Sequence, residues 1–472
     1  MNILKNIYFQ ILILQLEEYD LVRFLGTIKK TGGTSSKNDF RKPLVFTAKI
    51  KTIMTISVLI FFYFIYLSLV IPQNVPLSLL AIFILTVAFW RFNFIFIALA
   101  LIVISPFDYF VKEVFVALAK NKIKKLSRLK IVAIAGSYGK TGMKEFVYAL
   151  LAQKYRVVKT DKSINTPLAI AQTVLKKIDE NTDVFVVEMG EYYQGDIRKL
   201  CAITPPDIAF VTGINEAHLE RLKSIDRTVD TIFEVSKFSK PQATIILNGE
   251  DDLVVGNYKK FIGNKETYVY NNGIKAEFDE DIPSYIVNIS YADKSAKFYL
   301  PLLGDFNLGR IDACLFLAKK LGLSFKEVIA GLKSLQPVPH RLQPLSKMTN
   351  DVLIIDDSYN GNPDGVAAAI KVLSRFKKRR KIYLTPGLVE MGERAELVHR
   401  TIGYDLAPVA DLVVLIKNSV SGFIEKGLIG NNFPKSKIIF FDDAETAFSD
   451  LKNITRRGDV VLIQNDWPDN YT

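Results

Sequence analysis

Histidine and cysteine are scarce in this sequence, with three and two among its 472 residues. The two cysteines, Cys201 and Cys314, lie far apart in apolar or mixed runs. This placement favours buried thiols in a reducing compartment over a disulfide. The sequence also lacks zinc-ligand spacing, an arginine-rich arm and an aromatic RNA-binding signature, so nucleic acid is not an expected partner.

Acidic residues are outnumbered by basic ones, 49 to 61, which gives a formal net charge of +12. Apolar residues make up 49% of the chain and the mean hydropathy is +0.18, which is high for a soluble enzyme. This balance suits a protein that lies partly in lipid and against an anionic membrane face. The length predicts about two to four structural units.

Two long apolar runs occur at residues 53–71 and 77–107, separated by the reversal signal Pro72-Gln73-Asn74-Val75-Pro76. The first is uncharged and long enough to cross a hydrocarbon core of about 30 Å. The second carries only Arg91 and is long for one helix, which predicts a tilt, a kink or a break at Trp90-Arg91. A cleaved signal peptide is disfavoured, because the first run begins far from the N-terminus and a second follows. The alternative is a buried core hairpin of a soluble domain.

Lysine and arginine flank both runs, which predicts that both flanks are cytoplasmic and that the number of crossings is even, most simply two. We therefore expect a multi-pass protein of the cytoplasmic (inner) membrane, with the domains that follow the apolar runs in the cytoplasm. Residues 1–30 resemble an amphipathic helix, 31–39 a flexible joint, and 107–126 a second interfacial helix. The basic flanking residues are Lys29, Lys30, Lys37, Arg41, Lys42, Lys49 and Lys51 before the runs, and Lys112, Lys120, Lys122, Lys124, Lys125, Arg128 and Lys130 after them.

A glycine-rich turn, Gly136-Ser137-Tyr138-Gly139-Lys140-Thr141, joins a β-like run to a helix-like pattern. In such a turn, backbone N–H groups and a helix N-terminus hold phosphates, a lysine reaches the β- and γ-phosphates, and a threonine holds Mg²⁺. The generic pattern also requires a glycine where this chain has Ile134, so the match is incomplete. The alternative is an ordinary turn between a strand and a helix.

Two further segments predict acidic and imidazole groups at the ends of buried strands. Residues 183–197 contain a strand that ends at Glu188, with a second carboxylate at Glu191, and residues 205–224 contain a strand that ends near His218. Carboxylate and imidazole groups at neighbouring strand ends could bind a divalent cation opposite the phosphate loop. Each group taken alone is more often structural.

The order of these motifs resembles the Mur ligase superfamily. After the glycine turn come E-M-G with G-D-I, N-E-A-H-L-E-R, "PHRLQPL", "IIDDSYNGNPDGVAAAI" (354–370) and "EMGERAELVHRTIG" (390–403). The last two are closest to the branch that joins D-alanyl-D-alanine to a UDP-N-acetylmuramoyl-tripeptide, and the similarity extends over residues 130–463. The resemblance implies an ATP- and Mg²⁺-dependent amide ligase of peptidoglycan precursor synthesis that activates a carboxylate as an acyl phosphate.

The resemblance also implies roles for individual residues. Gly136, Ser137, Tyr138, Gly139 and Lys140 would bind the phosphates, and Thr141, Glu188 and His218 would bind Mg²⁺. Asn307 would contact the adenine, Arg341 would reach the γ-phosphate, and Asp357 and Tyr359 would contact the ribose side. We expect Lys140, His218 and Arg341 to be the catalytic residues among these.

The chain departs from the family in several places. Ile232 occupies the place of a carbamoylated lysine that supports a second magnesium, although Glu234 is kept. Phe306 and Arg310 replace a histidine and an asparagine of the adenine segment, so that Arg310 could stack on the base. Gln464 replaces a terminal lysine, "LTPGLVEMG" (384–392) loses an aspartate, and the apolar runs stand in place of a uridine-binding domain.

The predicted fold class is α/β, with a P-loop ATPase-like central parallel-sheet domain and a C-terminal Rossmann-like domain after a transmembrane helical hairpin. The C-terminal strands are predicted at 352–356, 381–385, 411–416, 437–441 and 459–463. Two other functions remain open: a ligase with a lipid-linked or non-wall acceptor, and an ATP-binding scaffold for other cell-wall enzymes. The predicted division is 1–52 amphipathic segment and linker, 53–107 two transmembrane spans, 108–130 basic interfacial helix, 131–336 ATP-binding domain and 337–472 C-terminal domain.

Overall fold

The computed structural model describes residues 3–33, 44–71, 74–161, 164–215, 219–348, 351–359, 361–388 and 391–464. The chain forms two compact units, with the boundary between Val114 and Phe115. The first unit is helical. Its helices are α1 (Ile3–Leu16), α2 (Leu21–Thr31), α3 (Ala48–Val70), α4 (Val75–Arg91) and α5 (Asn93–Lys125), the last of which continues into the second unit.

The segment predicted as one amphipathic helix, residues 1–30, is divided into α1 and α2. Glu18 and Tyr19 have positive φ angles of 56° and 63°, and Asp20 caps α2 by accepting a hydrogen bond from the Arg23 backbone N–H at 2.9 Å. Five consecutive residues of α1, 10–14, are buried. The prediction of a single amphipathic helix was therefore wrong, because a capped turn interrupts it and α1 is enclosed on more than one face.

Helix α3 is antiparallel to the return path formed by α4 and the start of α5. The Ser57 hydroxyl donates a hydrogen bond to the Phe96 carbonyl at 3.2 Å, and the Lys49 ammonium contacts the Asp108 carboxylate at 3.0 Å. The return path breaks at Phe92, which leaves the helical region with ψ at 37°. The second apolar run thus breaks one residue beyond the predicted Trp90-Arg91 position.

Helix α5 contains both the end of the second apolar run and the basic segment that follows it. Pro106 lies inside the helix without ending it, so the predicted boundary between residues 107 and 108 falls within one continuous helix. Helices α3 and α5 are long and apolar enough to cross a membrane by length and composition, whereas α4 is apolar but shorter. In the most apolar 18-residue stretch of α3, only 11% of the residues are buried inside the protein.

The second unit begins with a six-stranded sheet in the order β2-β3-β1-β4-β5-β6. Every neighbouring pair is parallel, and the central strands β1, β3 and β4 consist almost wholly of buried aliphatic and aromatic residues. Such strands require helices on both faces of the sheet. The strands are β1 (Lys130–Ala135), β2 (Val157–Lys159), β3 (Val184–Glu188), β4 (Ile208–Val211), β5 (Thr244–Asn248) and β6 (Glu266–Tyr270).

Helices cover this sheet and join its strands. The C-terminal part of α5 contributes Ala119 and Ile123 to the core on one face, and the Lys122 ammonium donates to the Leu175 carbonyl at 2.9 Å. The helices are α6 (Lys140–Leu151), α7 (Pro167–Lys177), α8 (Asp196–Ile203), α9 (Leu219–Leu222), α10 (Ile225–Ile232), α11 (Glu234–Lys237), α12 (Asp252–Asn257) and α13 (Lys259–Ile262).

A small antiparallel sheet follows, with strands β7 (Ala276–Asp279), β8 (Ser284–Tyr291) and β9 (Lys294–Leu300). The β-rich region predicted at 285–302 is thus a hairpin in a separate sheet. Its buried side chains, such as Val287 and Leu300, share one core with α6 and with α14 (Phe306–Lys320) and α15 (Phe325–Lys333).

The C-terminal part of the second unit is a mixed sheet in the order β10-β11-β15-β12-β13-β14, in which only the edge strand β10 is antiparallel. All five predicted strands are confirmed, with each boundary within one residue. The elements are β10 (Gln343–Met348), β11 (Val352–Asp357), α16 (Pro363–Arg375), β12 (Lys381–Thr385), α17 (Ala395–Leu406), β13 (Leu412–Ile416), α18 (Ser421–Gly430), β14 (Ile438–Phe441), α19 (Ala444–Ile454) and β15 (Val460–Gln464). The α/β fold class is confirmed.

Candidate active site

The glycine turn lies where the sequence predicts it, between the central strand β1 and helix α6. Gly136 and Gly139 have φ angles of 141° and 79°, a region that favours glycine. A Cβ atom on Gly136 would lie 2.4 Å from the Thr212 hydroxyl oxygen, so no side chain fits there. The Ser137 N–H donates to the Gly213 carbonyl at 2.7 Å. The turn therefore presents the N-terminus of a 12-residue helix, which is a favourable position for phosphate groups.

Tyr138 joins this turn to the segment that follows strand β5. Its hydroxyl donates to the Asp251 carboxylate at 2.7 Å, and the same carboxylate oxygen accepts the Ile214 N–H at 2.9 Å. Burial, assisted by the Asp251 charge, raises the pKa of the Tyr138 phenol well above its usual range. Tyr138 therefore remains a neutral donor. The sequence analysis missed Asp251, although its position just after β5 at the carboxyl edge of the sheet could have indicated it.

Lys140 is the first residue of α6, and its ammonium lies against the buried Glu191 carboxylate. The Nζ atom is 2.9 Å and 3.0 Å from the two carboxylate oxygens, and it also donates to the Gly136 carbonyl. Burial raises the pKa of Glu191 to about 7, against the opposing effect of the Lys140 charge. The Lys140 ammonium thus lies between the glycine turn and the Glu191 carboxylate.

Thr141 and Glu188 lie together, as the magnesium prediction requires. The Thr141 hydroxyl donates to the Glu188 carboxylate at 3.2 Å, and the fully buried Lys144 ammonium contacts the same carboxylate at 2.9 Å. Hydroxyl and carboxylate oxygens are ligands that Mg²⁺ accepts, so these residues fit the ion. His218 lies outside the described residues, within which no group of three histidine, cysteine, aspartate or glutamate side chains is gathered for a metal. Sequence reasoning missed Lys144, whose partner is 44 residues away.

The predicted adenine residue, Asn307, is buried at the start of α14 and holds Arg310. Its amide oxygen accepts from the Arg310 guanidinium at 2.7 Å, and that guanidinium lies 4.8 Å from the centroid of the Phe306 ring. A Cβ atom on Gly142 would lie 2.5 Å from the same guanidinium, so Arg310 flanks the first turn of α6. Burial lowers the pKa of Arg310 to about 10. Stacking of Arg310 on a base stays a prediction.

Residues of the C-terminal domain meet the glycine turn from the other side. The Asn215 amide donates to the Asp364 carboxylate at 2.8 Å, while the Asn215 carbonyl accepts from the Ser137 hydroxyl at 3.3 Å. Asn215 therefore links the turn to the start of α16. The sequence analysis did not single out Asn215.

Arg341, Asp357 and Tyr359 lie together on this C-terminal side. The Arg341 guanidinium lies 4.8 Å from the Tyr359 ring centroid, and Asp357 accepts from the Leu342 N–H at 3.0 Å. The pKa of Arg310 is lowered chiefly by burial, and the Arg341 charge adds to this effect. The sequence predicted all three as site residues, and the fold brings them to one place.

Two of the predicted departures have clear structural settings. Ile232 is fully buried in the apolar core beneath the central sheet. Gln464 ends β15 in a buried position, where its amide oxygen accepts from the Tyr383 hydroxyl at 2.8 Å. Neither position offers an ammonium group or a carbamate to a ligand.

Comparison with known proteins agrees with this geometry. Residues 134–318 match the Mur ligase middle domain, and residues 340–464 match the Mur ligase, glutamate ligase domain. The UDP-N-acetylmuramoyl-tripeptide--D-alanyl-D-alanine ligase of Bacillus subtilis is 26% identical over 351 residues, which cover 74% of this chain and 75% of the relative. The Escherichia coli ligase of the same name is 28% identical and is matched over 61% of its length.

A solved structure, the MurF ligase from Thermotoga maritima in complex with ADP, is also similar. It superposes with a TM-score of 0.65 at 28% identity, covering 75% of this chain and 80% of that one. The matched domains contain the glycine turn, Glu188, Arg341 and Asp357. The chain therefore belongs to the Mur ligase family, whose members are ATP-dependent ligases that form amide bonds.

Proposed function

We propose that this protein is a membrane-anchored ligase of peptidoglycan precursor synthesis that joins D-alanyl-D-alanine, or a similar amine, to a muropeptide carboxylate. One observation carries the proposal: the Lys140 turn contacts Glu188 and Glu191 on one side. On the other side, Asn215 of the central domain links the turn to Asp364 of the C-terminal domain. ATP, a carboxylate and an amine would meet between these groups.

The reaction proceeds in two transfers. The γ-phosphoryl group moves from ATP to an oxygen of the substrate carboxylate, which gives an acyl phosphate and releases ADP. The amine nitrogen then attacks the acyl carbon, phosphate leaves, and the nitrogen loses a proton. Such transfers depend mainly on positioning and on positive charge around the phosphoryl oxygens.

The chain's own residues supply this positioning. The helix α6 N-terminus and Lys140 hold the β- and γ-phosphates, Arg310 lies beside the same turn, and Arg341 approaches from the C-terminal domain. Thr141 and Glu188 would hold magnesium, together with His218, and the ion supplies further positive charge to the phosphate oxygens.

The first unit anchors the enzyme to the membrane. Its α3 exposes large apolar side chains, among them Leu59, Phe62 and Tyr66, each about three-fifths exposed. Burying them in lipid removes this apolar area from water. The resemblance to Mur ligases implies a uridine-binding domain where this chain has its apolar helices, and the proposed substrate is therefore a lipid-linked or membrane-proximal precursor. Tethering raises the effective concentration of such a substrate.

Release of ADP that depends on added amine tests the catalytic assignment. The full chain is purified in detergent and assayed with D-alanyl-D-alanine and UDP-muramoyl-tripeptide, beside the Lys140→Ala variant. Wild type should release ADP only with both substrates, and Lys140→Ala should release none. ADP binding without any amine-dependent release would favour the alternative, a non-catalytic scaffold, which the substitutions at Ile232 and Gln464 support.

The lipid preference is tested separately with a lipid-linked acceptor of the same peptide. We expect faster turnover on the lipid-linked substrate than on the soluble UDP-linked one. Equal turnover on both would refute the lipid preference while leaving the ligase assignment intact.

A further inference from the structure

The Lys140 ammonium already has an anionic partner inside the protein. Glu191 presents both carboxylate oxygens to it, at 2.9 Å and 3.0 Å, and the Glu191 side chain is only 1% exposed. A lysine in this place is the group that would meet the β- and γ-phosphates of a nucleotide. The internal carboxylate therefore lies where it competes with phosphate oxygens for the same ammonium.

The position of Glu191 is fixed by the loop that follows β3. The Met189 N–H donates to the Ile134 carbonyl at 2.9 Å, and the Gly190 N–H donates to the Asn165 carbonyl at 3.1 Å. A Cβ atom on Gly190 would lie 2.8 Å from the Asn165 side chain, so the close approach needs glycine. These two hydrogen bonds fix the backbone just before Glu191, from which its carboxylate extends to Lys140.

Both lysines at the start of α6 are already paired with carboxylates in the protein. Lys140 pairs with Glu191, and Lys144 pairs with Glu188, all four side chains being buried or nearly so. A charged group in such surroundings interacts more strongly than at the surface, so neutralising Lys140 lowers its attraction for phosphate. The raised pKa of Glu191 indicates that burial disfavours its anion even beside Lys140. The pair can therefore be opened by a stronger anion.

We propose that Glu191 is an internal counter-ion of the phosphate-loop lysine, which the terminal phosphates of the nucleotide must displace on binding. Glu191 thereby weakens the binding of every nucleotide whose phosphates reach Lys140. A nucleotide whose phosphates do not reach Lys140 binds with the same affinity with or without the Glu191 charge. This inference rests on the proposed nucleotide site and adds a residue that sets the affinity for the phosphate tail.

Nucleotide affinity in the Glu191→Gln variant tests the inference. The amide keeps the size and one acceptor oxygen of the side chain but removes its charge. The full chain in detergent is titrated with ADP and with AMP by calorimetry, with EDTA present so that no metal contributes. Glu145→Gln is the matched control, because Glu145 lies on α6 and pairs with Lys159 at the surface.

ADP should bind Glu191→Gln on the order of tenfold more tightly than wild type, whereas AMP affinity and the Glu145→Gln control should change by less than about twofold. Equal or weaker ADP binding would refute the counter-ion role and indicate that Glu191 only supports the turn. Equal tightening of ADP and AMP would refute it too, since the effect would not depend on the terminal phosphate. If circular dichroism shows that the Gln variant is unfolded, Glu191→Ala is used with the same expectation.

Failure of this inference is distinguishable from failure of the proposed function. If wild type binds ADP and Glu191→Gln shows no tightening, only the counter-ion role is wrong. If wild type binds no ADP at all, both the nucleotide site and the counter-ion role are wrong.

Discussion

Removing the Lys144 ammonium should destabilise the central domain strongly. Lys144 is fully buried and its Glu188 partner is 3% exposed, with 2.9 Å between nitrogen and oxygen. The variant Lys144→Met fills a similar volume but leaves the buried Glu188 carboxylate without this cation, while the Thr141 hydroxyl still donates to it. Breaking a buried pair in this way costs about 3–5 kcal/mol, because a buried charge is left uncompensated.

The assay is the free energy of unfolding in urea, followed by circular dichroism on the full chain in detergent with EDTA present. Lys159→Met is the control, since Lys159 and its partner Glu145 are 26% and 31% exposed. A partly exposed pair contributes only about 0.2–1 kcal/mol. The double variant Lys144→Met/Glu188→Gln should recover much of the loss, because it removes both buried charges. A loss no larger than that of Lys159→Met, or a double variant as unstable as the single one, would refute this reasoning.

Three further outcomes are expected. Gly136→Ala should weaken ADP binding at least about tenfold, because an added Cβ meets Thr212 at 2.4 Å and the φ of 141° disfavours alanine. Gly256→Ala is its control and should leave ADP binding unchanged, because an added Cβ there has open space beyond its own helix. Burial lowers the pKa of His399, so the neutral imidazole contributes fully to stability above its unfolded pKa of about 6.5. As the pH falls below that value, the free energy of unfolding should fall by up to about 1.4 kcal/mol per pH unit. Unfolding midpoints of wild type and His399→Gln between about pH 7.5 and 5.5 measure this, and the same pH dependence in both proteins would contradict it. The chain should stay in the membrane pellet after an alkaline carbonate wash and enter solution only with detergent, and recovery in the wash would contradict the membrane anchor.

Local pattern was enough to predict the C-terminal sheet and the glycine turn. Runs such as 412–416 are continuous aliphatic sequences, which favour strands wherever they lie in the chain. The turn is equally local, because Gly136 and Gly139 adopt conformations that depend on their own residue type. Pattern was less informative for residues 1–30, where Glu18 and Tyr19 adopt positive φ angles that sequence gives no reason to expect.

The ion pairs of the candidate site could not be predicted, because they join residues that are far apart in the sequence. Glu191 was visible as a second carboxylate after β3, but nothing in its spacing indicates that it contacts Lys140, 51 residues earlier. Lys144 looks like an ordinary helix lysine until the fold shows that it is enclosed beneath Glu188. Such contacts depend on which strands are neighbours, here β1 and β3.

The burial of Ile232 has a consequence for how this enzyme would respond to its surroundings. A carbamate forms when a neutral lysine amine captures dissolved carbon dioxide, and it reverts when that gas is removed. A hydrocarbon side chain packed in the core has no nitrogen with which to do so. Removing dissolved carbon dioxide or adding bicarbonate should therefore not change the activity of this enzyme through residue 232.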